Sequence, residues 1–422
     1  RKNRSRGWIR SPIYARPGGR SGGTYDPVPG RLLYMPASCL PYHITGYTTR
    51  THAIVRSMRS VGADLHIGTR PGYPWDRSDR CSEPAAETTT IDGMVYRHRR
   101  FPSKNLPVML YASLAAHTIE KVVQERQVAA IHAASNHVSA LGALIAAKRL
   151  GIPFHYEMRG LWELTRISRQ PAFEASQAFR QGLELESLVA RHADRLFVIS
   201  EQLGRYVVEH WGIEEERIAL LPNCVDPDDI APADPAQVEP DTIGYAGSLI
   251  IYEGLDTLLQ ATAQLARQGR TVRVRIAGDG EARQDLETLA QRLGVQQQVE
   301  FLGRMEPNKA QAMIARCAVV CLPRRPFDVC RIVPPIKLVE ALAMAKPVIV
   351  PDLPVFRDEL GEESPGFFFK AGDADDLART IDDALSDTRR LNDIGRRARD
   401  YAITKRNWRQ FVAPIVEQLA RG

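Results

Sequence analysis

Cysteine is scarce and unpatterned. Cys39, Cys81, Cys224, Cys317, Cys321 and Cys330 include no C-x2-C pair and no histidine spacing suited to zinc, so a metal centre is not expected and the thiols read as reduced and structural. Cys317 and Cys321 flank an apolar run and are expected to be buried. Long apolar runs are missing too: none approaches the roughly eighteen residues that cross a bilayer, and none reads as a signal peptide. The expected location is the cytoplasm. Nor is one sign of charge dominant, since 56 Lys and Arg face 50 Asp and Glu for a net charge of +6, and no nucleic-acid partner is expected.

The small basic excess is crowded into one place. Arg1, Lys2, Arg4, Arg6, Arg10, Arg16 and Arg20 stand beside Gly18, Gly19, Gly22 and Gly23, so residues 1–30 are expected to form a solvated, flexible arm. Peripheral contact with anionic lipid at the inner membrane face is the alternative for such a segment. The remaining composition, 44% hydrophobic and 25% charged over 422 residues, suits two or three ordinary globular domains.

From Arg31 onward, strand-like runs (32–35, 64–68, 129–133, 154–158, 196–199, 218–221) alternate with helix-like ones, which implies a parallel sheet covered on both faces. Residues 31–228 are read as the first doubly wound domain. The acid- and proline-rich stretch 229–240 reads as a linker. Alternation restarts at 242–246 and continues through 272–277, 299–302, 319–322, 348–350 and 367–369, giving a second domain over 241–402. The last segment, 403–422, carries Trp408, Phe411, Ile415 and Leu419 at helical spacing. Ligands of such sheets sit beyond the carboxyl ends of the strands, so candidate residues are sought there.

The stretch 331–359 is the most informative. Pro334 and Pro335 suit the start of a helix, the run 336–345 is free of breakers, and Pro347 is expected to end it before a buried strand. Ile336, Val339, Leu342 and Ala343 share one face, while Lys337 and Glu340 share another. A lysine in the first turn of a helix suits an anion, and the glutamate one turn deeper could accept from sugar hydroxyls. A plain surface helix with an i,i+3 ion pair is the alternative.

Pro334-Pro-Ile-Lys-Leu-Val-Glu-Ala-Leu-Ala-Met-Ala-Lys-Pro-Val-Ile-Val350 resembles the donor segment of family 4 glycosyltransferases. These are retaining, nucleotide-sugar-dependent enzymes of the GT-B fold, in which two Rossmann-like domains face each other and the final helix returns to the first. The resemblance puts the second glutamate of a Glu-x7-Glu pair, which holds the donor ribose, at Glu340, with Leu338 and Val339 beside it. The first glutamate would fall at Ile332, and this chain lacks it.

Further resemblances run along some 370 residues. Gly46-Tyr47 matches part of a glycine loop over the donor diphosphate, and Gly247-Ser248 matches the loop that opens the donor site. Relatives place arginine and lysine at Ser248 and Glu253; with both absent, Lys337, helped by Arg331 or Arg325, is expected to replace them. Gly278 lies in a second donor loop, and Arg304-Met305 in one near the nucleobase. His132 matches the first histidine of a His-x-His motif whose second position, beside the reacting sugar in relatives, is Ala134 here, so His132 is expected as a catalytic contributor to the sugar pocket, while His137 stands within reach one turn on; a structural role for either histidine is the alternative. The sequence Arg159-Gly160-Leu161-Trp162-Glu163 is similar to one found in a branch associated with bacterial surface polysaccharides. Arg159, Gly160 and Trp162 are expected to face the acceptor, with Glu163 as base, or else Arg159 pairs with Glu163 at a helix start. Tyr73 and Trp75 belong to an aromatic loop that either meets an acceptor sugar or simply packs.

The resemblance implies transfer of a sugar from a nucleoside diphosphate to a glycan or lipid-linked acceptor, with no cofactor or metal. A GT-B epimerase, a phosphorylase, or a non-catalytic sugar-nucleotide-binding subunit are the competing readings.

Overall fold

The computed structural model describes residues 25–80, 84–361 and 365–421. Most of the basic arm, and Cys81, lie outside them. Two sheets organise the chain. The first is built from β1 (Arg31–Met35), β2 (Asp64–Gly68), β3 (Thr88–Ile91), β4 (Met94–Arg97), β5 (Ala130–Ala134), β6 (Phe154–Met158), β7 (Arg195–Val198) and β8 (Ile218–Leu220), in the order β3-β4-β2-β1-β5-β6-β7-β8. Only the β3–β4 pair is antiparallel. The short β-hairpin 88–97 is an addition that helix–strand alternation did not suggest.

Around this sheet lie α1 (Gly46–Ser60), α2 (Val108–Arg126), α3 (His137–Leu150), α4 (Trp162–Ile167), α5 (Gln177–His192) and α6 (Glu201–Trp211). The central strands β5 and β6 are buried at every position, so their side chains alternate between two covered faces. Helices α2 and α3 pack so closely that a Cβ on Gly142 would lie 2.9 Å from the Ala115 methyl, which is why that position is glycine.

The second sheet is wholly parallel. It contains β9 (Glu239–Ala246), β10 (Arg273–Ala277), β11 (Val299–Gly303), β12 (Cys317–Cys321), β13 (Val348–Pro351) and β14 (Gly366–Phe369), ordered β11-β10-β9-β12-β13-β14. Because β9 starts at Glu239, the linker ends two residues before the expected Pro240. The helices are α7 (Leu255–Arg267), α8 (Arg283–Leu293), α9 (Pro307–Arg316), α10 (Asp328–Ile332), α11 (Ile336–Ala343), α12 (Pro354–Leu360), α13 (Ala374–Leu385) and α14 (Thr388–Lys405). Helix α14 runs past the boundary placed at residue 402 without a break.

The donor-segment helix α11 is shorter than its breaker-free run. It stops at Ala343, and Ala345 turns the chain at φ 57 before Pro347 is reached. Its last carbonyls are drawn off: Ala343 O accepts from Arg399 Nη1 at 2.5 Å, and Met344 O accepts from Ala233 N of the linker at 2.9 Å.

The final helix α15 (Trp408–Arg421) lies on α1 of the first domain. Trp408, Val412 and Ile415 are buried among Ile54, Val55, Met58 and Tyr34, and the Arg50 guanidinium stands 5.0 Å over the Trp408 ring. Next to it the two crossings between the domains run side by side. Val225 and Asn407 form a parallel bridge, with Val225 N donating to Arg406 O at 2.8 Å.

Candidate active site

The carboxyl ends of both sheets meet across one cleft, and its floor is made by the segment 332–336. Ser200 Oγ of the first domain donates to Ile332 O, and Asn223 Nδ2 donates to Pro334 O, at 2.5 and 3.0 Å. Two glycines allow the approach. A Cβ on Gly160 (φ +146) would lie 3.2 Å from Val333 Cγ2, and one on Gly46 would lie 3.4 Å from Ile336 Cγ2. Gly160 thus serves contact between domains rather than approach of an acceptor.

Gly46 and Ile336 are the first residues of α1 and α11, so two helix N-termini converge. Thr45 caps α1 reciprocally with Thr48 and leaves Gly46 exposed. Pro335 at the N-cap of α11 brings no capping side chain. Free N–H groups and aligned dipoles make such a junction electropositive.

Lys337 reaches from α11 under the loop 247–248. Its Nζ stands 2.9 Å from Glu253 Oε2 and donates to the Tyr245 hydroxyl at 3.0 Å, while Cε occupies the space a Gly247 side chain would need. The surface alternative, an ion pair with Glu340, is not what forms. Glu253, 2% exposed, is also paired through Oε1 with Arg324 Nη2 at 2.9 Å, and Arg324 Nη1 donates to Val333 O. Burial would push the Glu253 carboxyl up, but Arg324 and Lys337 outweigh it and hold the group down at about 2. Burial lowers the Lys337 ammonium, against the pull of Glu253.

Glu340, one turn on, is half-buried, and its carboxylate has no hydrogen-bonded partner among the described residues. Burial pushes it up to about 7, with Lys337 opposing. Leu338 and Val339 are buried, so only their backbone can face a ligand. Gly278 (φ +142) packs on the Gly247 carbonyl, Ser248 is exposed, and Tyr245 donates to Ser248 O at 2.9 Å. Arg304 is exposed and Met305 half-buried just after β11. Arg331 is exposed, whereas Arg325 is already paired with Asp256 and is not a free cation.

The first domain departs further from expectation. Arg159 does not face the cleft: all its donors are used inside the domain, on Glu157, Tyr34, Thr51 and Tyr47 O, at 2.6–3.0 Å. It neither awaits an acceptor nor pairs with Glu163. Glu157 is the hub, receiving Arg50 as well, and its carboxyl stays well below the usual range because Arg159 and Arg50 overcome the cost of burial. Strand register explains His132. It is opposite Tyr34 on β1, stacks on that ring at 5.0 Å and on Phe197 at 5.1 Å, and is fully buried. His132 is a core residue, not a catalytic one. Its neighbour on the helix, His137, is held by Glu186 at 3.1 Å.

Glu163 turns inward too. It is 6% exposed, lies against Gly182 and 4.0 Å from His137, and is raised by burial and by Glu186. Tyr73 is buried, its hydroxyl donating to Cys39 O at 2.9 Å. The Tyr47 hydroxyl accepts from Ala37 N and donates to Ser135 O, tying the glycine loop to the ends of two strands. Of the aromatic candidates, Trp162 is 68% exposed and Trp75 is half-buried beneath Arg100.

Arg324 and Tyr245 were missed. Arg324 follows β12 by three residues, the kind of position where ligands of these sheets are met, so its place after Leu322 and Pro323 was the available signal. Glu157 showed only as the one acid of its strand.

The chain matches two family models in order: "Glycosyl transferase 4-like domain" over residues 45–224 and "Glycosyl transferases group 1" over residues 228–401. The 2-deoxystreptamine glucosyltransferase of Streptomyces kanamyceticus is 24% identical over 58% of this chain and 65% of its own length. The D-inositol 3-phosphate glycosyltransferase of Nocardia farcinica is 26% identical over 50% of this chain and 49% of its own. Each match spans less than two thirds of the relative. Among solved structures, sucrose-phosphate synthase from Thermosynechococcus elongatus superimposes with a TM-score of 0.73 at 16% identity, covering 93% of this chain and 98% of that one. Anabaena HepE in complex with UDP-glucose gives 0.68 at 18% identity, covering 93% and 100%. At such identities the likeness establishes a shared fold.

Proposed function

We propose that this chain, a GT-B glycosyltransferase of the family-4-like kind, moves a sugar from a nucleoside diphosphate to a hydroxyl of a glycan or lipid-linked acceptor, with retention of configuration. The observation that carries the reading is the convergence of the α1 and α11 N-termini on the cleft beside Lys337. The N–H groups there and the Lys337 ammonium take the diphosphate oxygens, on which charge grows as the bond to the sugar breaks. Glu340 accepts from the ribose, and Arg304 with Met305 borders the base. Trp75 and Trp162 are the aromatic surfaces left for the acceptor. A solved neighbour holding UDP-glucose supports the nucleotide-sugar donor, and the resemblance of residues 159–163 supports an acceptor of the surface-polysaccharide kind.

The proposed location is the cytoplasm, with peripheral contact at the inner membrane face. Exposed Phe101 beside exposed Arg97, Arg99 and Arg100 supports that contact, and no described helix is long and apolar enough to cross a membrane.

A thermal-shift screen against UDP-, GDP-, dTDP- and ADP-sugars tests the reading, because a ligand selective for the folded state raises Tm. One base should stand out, and free nucleoside diphosphate should appear only when acceptor is supplied. No rise in Tm and no calorimetric heat with any nucleoside diphosphate would refute it.

A further inference from the structure

A buried carboxylate occupies ground where a diphosphate site wants positive charge. Glu253 is fixed by the short turn 251–253 and by Gly254 (φ 70), and its two oxygens face Arg324 and Lys337 at 2.9 Å each. It joins three separate elements: its own turn after β9, the loop after β12, and the N-terminus of α11. Its cost is that one of the two cations, buried Arg324 and half-buried Lys337, is neutralised.

We propose that Glu253 is a positioning residue that sets the charge of the donor site, so that the nucleotide sugar is held in preference to the nucleoside diphosphate it leaves behind. The inference rests on the donor-site reading above. In the transfer, the bond from sugar carbon to phosphate oxygen breaks and a bond to the acceptor hydroxyl oxygen forms, the hydroxyl proton passing to the diphosphate or to water. The freed terminal phosphate then ionises once more near neutral pH, so the product carries one negative charge more than the donor.

Two unopposed cations would bind that product tightly and slow its release. With Glu253 in place the cluster of Arg324, Lys337 and Glu253 keeps a single net positive charge. Glu253 is shielded from water, so its field is weakly screened where the Lys337 ammonium meets the ligand. Repulsion falls hardest on the more anionic species. Glu253 also holds the Lys337 ammonium in place by an ion pair while that ammonium donates to Tyr245, which fixes where it can meet phosphate.

The test compares calorimetric affinities of the full chain for UDP and UDP-glucose, or for the corresponding pair of the base found in the Tm screen. E253Q should tighten the diphosphate about tenfold more than the nucleotide sugar, lower the product-inhibition constant by the same factor, and show the gain shrinking with added salt. E253D, which keeps the charge, should keep the wild-type ratio. K337Q should move the ratio the other way, and it decides the matter should E253Q fail to fold. Equal changes for both ligands in E253Q, or an unmoved ratio in K337Q, would overturn the inference while leaving the donor site standing. A wild type that binds neither ligand would instead refute the donor-site reading, and the inference with it.

Discussion

Replacing Glu340 with glutamine should make the empty protein more stable and the occupied one weaker. The carboxyl is pushed from an ordinary 4.5 up to about 7 by burial, so the folded state holds its proton more tightly than the unfolded chain. The stability this proton contributes is complete below the unfolded value and is lost as pH rises through the folded one, so the loss falls between about pH 4.5 and about pH 7. A full shift would be worth about 3 kcal/mol at 1.36 kcal/mol per unit, and partial exposure of the side chain reduces that to about 2 kcal/mol between about pH 5 and about pH 8. Glutamine has the same shape without the charge, so E340Q should keep its low-pH stability at high pH. The same change removes a charged acceptor from the ribose and should weaken nucleoside binding by roughly 1.5 to 3 kcal/mol. Urea unfolding at the two pH values, with calorimetry on the nucleoside, measures both. A wild-type stability that does not decline relative to E340Q over this range would refute the burial argument, and an unchanged nucleoside affinity would remove Glu340 from the site.

Lys337→Ala should reduce affinity for the diphosphate much more than for the nucleoside, since base and ribose lie elsewhere; equal losses in calorimetry would mean that Lys337 merely supports α11. Arg159→Met should cost roughly 3 to 5 kcal/mol in urea unfolding, because it strips Glu157 of one of its two arginines inside the domain. An Arg159→Met protein of unchanged stability with lost transfer would show that the arginine meets substrate after all.

Alternation of strand and helix carried the architecture, because strands such as β12 and β13 are apolar throughout and the intervening helices are broken by glycine or proline. The site was readable where one short segment holds the whole device: Pro334 to Glu340 contains start signal, cation and acid within seven residues. It was not readable where a side chain after a strand turns back into the domain to meet a partner that spacing does not single out. Arg159 and Glu163 look like cleft residues because they follow β6, yet Glu157 two residues earlier captures Arg159, and Gly182 on a distant helix makes room for Glu163. Register decides His132: only the pairing of β1 with β5 puts the Tyr34 ring against it. The Lys337 partner was hidden in the same way, since Glu253 appeared as a missing cation and not as the group that holds one.

The bridge between Val225 and Asn407 has a mechanical consequence. A single tether would let the two domains turn about any axis, but here the outgoing and returning strands are zipped together by Val225 N to Arg406 O and Trp408 N to Val225 O. Residue 225 on the way out and residues 406–408 on the way back are therefore held in one register, so both crossings leave the first domain at a single place. The start of α15, and with it the Trp408 ring under the Arg50 guanidinium of α1, is thus placed by backbone bonds at the crossing as well as by side-chain packing.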